Sequence, residues 1–224
     1  MKLAVQMTAS LVFGAAFFGL ALFWPAGTFH YWQAWVFLAI FFGSSIVPTT
    51  YLARRQPAAL QRRLRAGPAA ETRPAQRLII TAIVLLVAAT YVTSALDHRF
   101  GWSTVPLAVI VVGDVLVAVG IVMAQLVVIQ NGYAAANITV EENQPLVTTG
   151  LYGVVRHPMY LGVVINMIGA PIALGSLWGF IPVALTVPVL AARIVDEERM
   201  LVAELTGYRE YRTRVRARLI PRVW

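Results

Sequence analysis

Residues Thr104–Gln130 read TVPLAVIVVGDVLVAVGIVMAQLVVIQ, with Asp114 the single ionisable residue of the run. A helix needs roughly 20 predominantly apolar residues to cross about 30 Å of hydrocarbon, and this stretch exceeds that length. Strands and buried core helices of soluble domains are shorter and give way sooner to polar punctuation. Composition carries the same reading to the whole chain of 224 residues. Hydrophobic residues make up 59% and charged residues 12%, where a soluble domain carries roughly a quarter charged. Mean hydropathy is +0.72. The chain is therefore expected to be an all-α integral membrane protein.

Outward from this run, five more apolar segments give an expected bundle of about six transmembrane helices. They lie at about Leu3–Trp24, Tyr31–Ala53, Leu78–Leu96, Met159–Leu174 and Trp178–Ile194. The last two are short and broken by Pro171, Pro182 and Pro188, so they form either two crossings or a tilted helical hairpin. The first begins just after Lys2, is longer than a signal-peptide core and lacks a small-x-small cleavage site, so it reads as a mature helix.

Charge sets the orientation. Net charge is +8, and the arginines collect in two places. Arg54, Arg55, Arg62, Arg63, Arg65, Arg73 and Arg77 fill the loop between the second and third spans, and seven more run from Arg199 to Arg222. The opposite side shows Arg99 beside Asp97. The positive-inside rule then places both termini, and any chemistry in the longer loops, on the cytoplasmic side. The same rule and anionic headgroups account for the basic excess, so no nucleic-acid partner is expected. Leu60 and Leu64 at helical spacing make Arg54–Arg77 an amphipathic segment, suited to headgroups or to substrate gating. Cysteine is absent, and His30, His98 and His157 are too scattered for a zinc motif, so no metal is expected.

Two polar clusters stand out on the basic side. In Pro145–Gly162, PLVTTGLYGVVRHPMYLG, Pro158 sits where a helix would start. Arg156 and His157 then precede a helix N-terminus and Tyr160 lies in its first turn. Such a tip is either an anion site or a membrane-interface anchor. The second cluster is Asp196-Glu197-Glu198, with Arg193 one turn before Glu197 and able to pair with it. It is either a solvated helix turn or the acidic half of a site for a zwitterionic ligand. Inside the apolar spans, Asp114 with Gln125 and the face Gly162, Asn166, Gly169, Ala173 read as structural or helix-packing features, or as a substrate path. Trp24, Trp32, Trp35 and Trp102 read as an interfacial belt, with His30, His98 and Asp97 on the same face.

GLYGVVRHPMYLG, then a Pro/Gly-rich hairpin, DEERML and GYREYRTRVRARLIP, resembles the isoprenylcysteine carboxyl methyltransferase family, which is related to the phospholipid N-methyltransferases. The likeness covers roughly Pro145–Pro221. It implies S-adenosyl-L-methionine as cofactor, bound at the cytoplasmic face, and a lipophilic small-molecule or lipid-modified acceptor. Arg156, His157, Tyr160 and Gly162 match one motif, Glu197, Glu198 and Leu201 the second, and Tyr208 and Tyr211 the paired tyrosines that cover the cofactor. Val147, Gly150, Leu151, Tyr152 and Leu161 are expected to complete the cofactor contacts. Gly207 abuts Tyr208 without the family's two-residue spacer, so the cap is expected to differ in shape.

On that reading residues 1–130 supply transmembrane helices and the basic loop, residues 131–224 supply the cofactor region, and a cytoplasmic helix lies near the C-terminus. Arg156 and the helix tip are assigned the cofactor carboxylate, and Glu197 or Glu198 its ammonium. Arg193, Glu198 and His157 are the expected catalytic residues: Arg193 orients a carboxylate acceptor, whereas an amine acceptor needs Glu198 or His157 as base. The competing readings are a phospholipid N-methyltransferase, a small thiol or amine methyltransferase, a lipid-binding structural protein, and a small transporter using Asp114.

Overall fold

The computed structural model describes residues 2–64, 66–71, 73–134 and 136–224, with side chains from Val5 onward. Arg65, assigned to the basic loop, lies outside the described residues. The described residues form α-helices and short 3-10 turns without strands. In chain order they are α1 Lys2–Ala26, α2 Trp32–Arg55, α3 Pro57–Leu64, α4 Pro74–Phe100, α5 Leu107–Gln130, α6 Pro158–Ala173, α7 Phe180–Glu204 and α8 Tyr208–Arg214. Helical turns also form at Pro68–Ala70 and Gly150–Gly153.

Four of these helices, α1, α2, α4 and α5, are long and apolar enough to cross a membrane. The expected count of six is not reached on that measure, for a local reason. α6 has 16 residues, about 24 Å at 1.5 Å per residue. α7 is apolar only in its first half and carries Arg193, Asp196, Glu197 and Glu198 in its second. Nor do α6 and α7 pair closely as a hairpin. α6 lies along α5, and α7 along α4.

Glycine explains the α5–α6 pairing. A Cβ on Gly120 would sit 2.6 Å from the Gly162 carbonyl oxygen, and one on Gly169 would sit 2.8 Å from the Gly113 carbonyl oxygen. These are backbone contacts that cannot move aside, so the two helices touch because both faces lack side chains. This is the small-residue packing expected of Gly162, Asn166, Gly169 and Ala173. Gly120→Val is accordingly expected to force the pair apart and lower stability by about 1–3 kcal/mol. An unchanged melting temperature in detergent would contradict that.

At the end opposite the basic loops, Asp97 is buried and ties three segments together. It accepts hydrogen bonds from Ser103 N (2.7 Å) and Ser103 Oγ (2.6 Å) in the α4–α5 loop, and from Ser176 Oγ (2.6 Å) in the α6–α7 turn. His98 stacks on Tyr31 instead of joining it, with ring centroids 3.9 Å apart. Between α1, α2 and α4, Phe18, Phe37, Phe41 and Tyr91 form the central aromatic cluster. Within the spans, Asp114 and Asn166 each keep a buried side-chain oxygen without a hydrogen-bond partner.

The described residues of the basic loop include a short helix that packs on the bundle. α3 presses Ala59 and Leu60 against Leu52 and Val128, with Leu64 and Met159 alongside. The short apolar face of α3 thereby brings an N-terminal segment onto the start of α6.

Candidate active site

Proline at the first position of α6 halts the preceding loop at His157, and the amides just upstream do not stay free. Arg156 N–H donates to the Ala217 carbonyl (3.0 Å) and His157 N–H to the Arg218 carbonyl (2.9 Å). The segment after α8 thus straps the RHP motif. That strap is closed on itself, because the amides of Arg218, Leu219 and Ile220 all donate to the Trp224 carbonyl.

The two clusters expected to face one another across a ligand are joined directly. Arg156 Nε donates to Glu198 Oε1 (2.6 Å), Arg218 Nε to Glu198 Oε2 (2.9 Å), and His157 Nε2 lies 3.3 Å from Glu198 Oε1. Arg156 Nη1 also donates to the carbonyls of Val215 and Arg216. Burial would raise the Glu198 pKa, but the bonds from His157, Arg156 and Arg218 hold it well below the usual carboxylate range. Glu198 is therefore a buried, ionised hub that closes motif, α7 and strap together.

Glu197 sits differently. Among the described residues its hydrogen bond comes from Tyr160 Oη to Oε2 (2.6 Å), and it lines a cavity at this end of the bundle. Arg193 does not pair with Glu197 directly, contrary to the helical-spacing expectation. Its Nε donates to Tyr160 Oη (3.0 Å), Nη1 to Gln76 Oε1 (2.9 Å), and Nη2 to Glu71 Oε1 (2.8 Å) and the Ala136 carbonyl (3.0 Å). Arg193 reaches Glu197 only through Tyr160. The third acid, Asp196, turns outward to Arg73 (2.8 Å) and Gln76.

The cavity encloses about 810 Å³ including its mouth. From the expected set it is lined by Val147, Tyr152, Arg156, His157, Tyr160, Arg193, Glu197, Tyr208 and Tyr211. Glu198 lies behind this wall. Gly150 and Leu151 pack at Gln130, whose Oε1 accepts from Leu151 N–H (3.2 Å). Leu161 faces Leu190, Ile194 and Leu219 on the far side. Tyr211 Oη donates to the Tyr152 carbonyl (2.7 Å), and Tyr208 Oη is buried with no partner. Burial and the charges of Glu198 and Glu197 raise the Tyr208 pKa, so that phenol stays protonated. Gly207 enters α8 with φ +81°, the left-handed region glycine favours, and this permits the tight turn into Tyr208 without a spacer.

Several contributors were not singled out from the sequence. Asn131, Tyr133 and Asn137 line the cavity, as do Met200 and Leu205. The Asn131–Ile138 loop is fastened by the N-terminal half: Arg62 pairs with Glu141 (2.5 Å), stacks over Tyr133, and Glu71 Oε2 accepts from Ile138 N–H (3.2 Å). One signal for Glu71 was available, since it is the sole acid in the stretch from Arg54 to Arg77, which carries seven arginines.

Residues 108–207 match the family model of phospholipid methyltransferase. That stretch, a little under half of the chain, is similar to this family of methyltransferases. The matched region runs from the start of α5 to Gly207, so it contains the glycine-packed α5–α6 pair, the RHP motif and Asp196, Glu197 and Glu198 of α7. The tyrosine pair and the strap lie just beyond it. No curated protein and no solved structure matches the chain.

Proposed function

We propose that the chain transfers a methyl group from S-adenosyl-L-methionine to a lipophilic acceptor at the basic end of the bundle, which would face the cytoplasm. The observation that carries this reading is the cavity itself: family motif residues from α6, α7 and α8 converge on one space that offers both a cation-binding carboxylate and unfilled donors.

The residues present fit the cofactor. Glu197 has acceptor capacity to spare for an ammonium, which favours it over Glu198, whose oxygens already hold Arg156, Arg218 and His157. Among the described residues Arg156 donates through Nε and Nη1 and the Tyr208 hydroxyl has no hydrogen-bond partner, so Arg156 Nη2 and that hydroxyl can receive a carboxylate or a sugar hydroxyl. Met159, Met200, Leu201 and Leu205 supply apolar surface. When bound, the cofactor supplies an electrophilic methyl on a sulfonium. The chain's own part is to orient and to exclude water: Tyr208 and Tyr211 cover the cavity, and the strap fixes Arg156. Removing Glu197 to glutamine is expected to weaken S-adenosylhomocysteine binding about tenfold or more. Calorimetry in detergent reads this, and equal affinity in wild type and variant would reject the site.

For the acceptor, carboxyl O-methylation of the isoprenylcysteine type is the leading reading, because a carboxylate needs no base. Phospholipid N-methylation is the alternative, which the family match does not separate from the first; it would need His157 as the base, because the depressed pKa of Glu198 makes that carboxylate a weak proton acceptor. Small thiols or amines complete the set. Incubation with methyl-labelled cofactor and a panel of prenylcysteines, phospholipids and small thiols separates them by which product carries label.

A further inference from the structure

Several arginines at the basic end find oxygen partners. Arg62 pairs with Glu141, Arg73 with Asp196, Arg156 and Arg218 with Glu198, and Arg193 with Glu71. Arg77 donates to the Glu71 carbonyl (2.7 Å). Arg63 differs. It is half-buried on α3, and its contact is Nη1 to the thioether sulfur of Met159 at 3.6 Å. A thioether is a weak acceptor and leaves the remaining guanidinium donors unanswered. Burial pulls the Arg63 pKa down; among the described residues the Tyr160 phenol opposes that shift and the positive charge of Arg193 reinforces it. A half-buried guanidinium with no oxygen partner among the described residues is costly, and an anion would lower the cost.

Its position gives that anion a role. Met159 is a wall residue of the cavity and a member of the RHPMY motif, with Tyr160 beside it. α3 lies on the apolar surface of Leu52 and Val128, so a ligand at Arg63 would have apolar helices on one side and the cavity on the other. We propose that Arg63 is the oxyanion-binding residue of the acceptor subsite, taking the carboxylate or phosphate head of an amphiphile through the fork of its guanidinium. The subsite rests on the reading of the cavity as the donor site, and it assigns acceptor recognition to an N-terminal segment outside the matched region.

The test measures binding without turnover. Detergent-solubilised protein is titrated with lauric acid, dodecyl phosphate, dodecanol and dodecyltrimethylammonium, and also with acetate and inorganic phosphate. Wild type, Arg63→Gln, Arg63→Lys and Arg54→Gln are compared, the last removing an arginine from outside the cavity and the subsite. The expected result is that the two anionic amphiphiles bind wild type and Arg54→Gln alike, and bind Arg63→Gln about tenfold or more weakly. Arg63→Lys should recover part of the loss, and the alcohol and the cation should bind all four proteins equally. Preference for laurate over dodecyl phosphate would make the head a carboxylate, and the reverse a phosphate. Binding of acetate or phosphate as tightly as the amphiphiles would make the site one for free anions and overturn the acceptor role. Unchanged amphiphile binding in Arg63→Gln overturns the proposal outright. So does a parallel loss of S-adenosylhomocysteine affinity in that variant, which would put Arg63 in the donor site. Failure of the cofactor to bind wild type at all would instead defeat the methyltransferase reading, while leaving the amphiphile result readable.

Discussion

Glu198→Ala is expected to abolish S-adenosylhomocysteine binding and to lower stability by about 3–5 kcal/mol, although the residue lies behind the cavity wall. The reason is the charge left over. Arg156 and His157 are buried, Arg218 partly so, and all converge on this carboxylate within 2.6–3.3 Å. Removing it strands at least two buried guanidinium or imidazole groups without their acceptor, the costly way to break an internal ion pair. Arg156 then loses the contact that fixes it, the strap loses Arg218, and the RHP motif is free to move. His157→Ala should be milder, because the carboxylate keeps both arginines, but cofactor affinity should still fall. Melting temperature and calorimetric affinity, measured on the same detergent preparations, check both. Full affinity in both variants would remove this cluster from the site.

Acidity should act on the same hub. The Glu198 carboxyl is held below its ordinary value of 4.5 in the folded protein. A depressed folded value means the stabilisation is complete above the unfolded pKa and fades as pH falls through the folded one. The stability difference between wild type and Glu198→Gln should therefore be largest above about pH 5, and should shrink progressively below about pH 4.5. A difference independent of pH would show that glutamate acts there by shape alone.

The all-α membrane fold could be read from the runs because hydrocarbon imposes a length on every helix that crosses it. The α5–α6 contact was foreshadowed too, since Gly162 and Gly169 recur on one face and small residues are what close helix approach requires. The neighbours of α7 were not. Its apolar half carries little pattern to separate α4 from α6 as a partner, and the outcome depends on which face Asp196 and Arg193 must satisfy. At the site, the proximity of His157 and Glu198 matched the expectation that motif and acids share one end. The division of labour did not follow from spacing. Glu197 and Glu198 are adjacent in sequence, yet the helical rotation between them sends one into the cavity and the other behind it. Helical spacing also suggested Arg193 with Glu197, but a stronger competitor, Glu71, arrives from 122 residues away along the chain, and no local rule could bring it there.

That long-range pair sets the second large effect, expected for Arg193→Ala. Glu71 is 2% exposed and Arg193 3%, so the alanine leaves the Glu71 carboxyl group buried without its arginine and removes a partner of Gln76 and Tyr160 at the same time. A loss of about 3–5 kcal/mol is expected, together with loosening of the Asn131–Ile138 wall, because Glu71 also accepts from Ile138 N–H and Arg193 donates to the Ala136 carbonyl. Arg193→Lys should recover only a minority of this, since one ammonium cannot reach four acceptors placed for a planar fork. The decisive comparison is the double change Glu71→Gln with Arg193→Met. Removing both charges relieves the stranded carboxylate, so the double variant should be more stable than Arg193→Ala while still binding S-adenosylhomocysteine poorly, as Tyr160 loses its orientation toward Glu197. If instead the double variant is less stable than the single one, the pair contributes more than it costs to bury. If it binds the cofactor normally, Arg193 is part of the scaffold and not of the site.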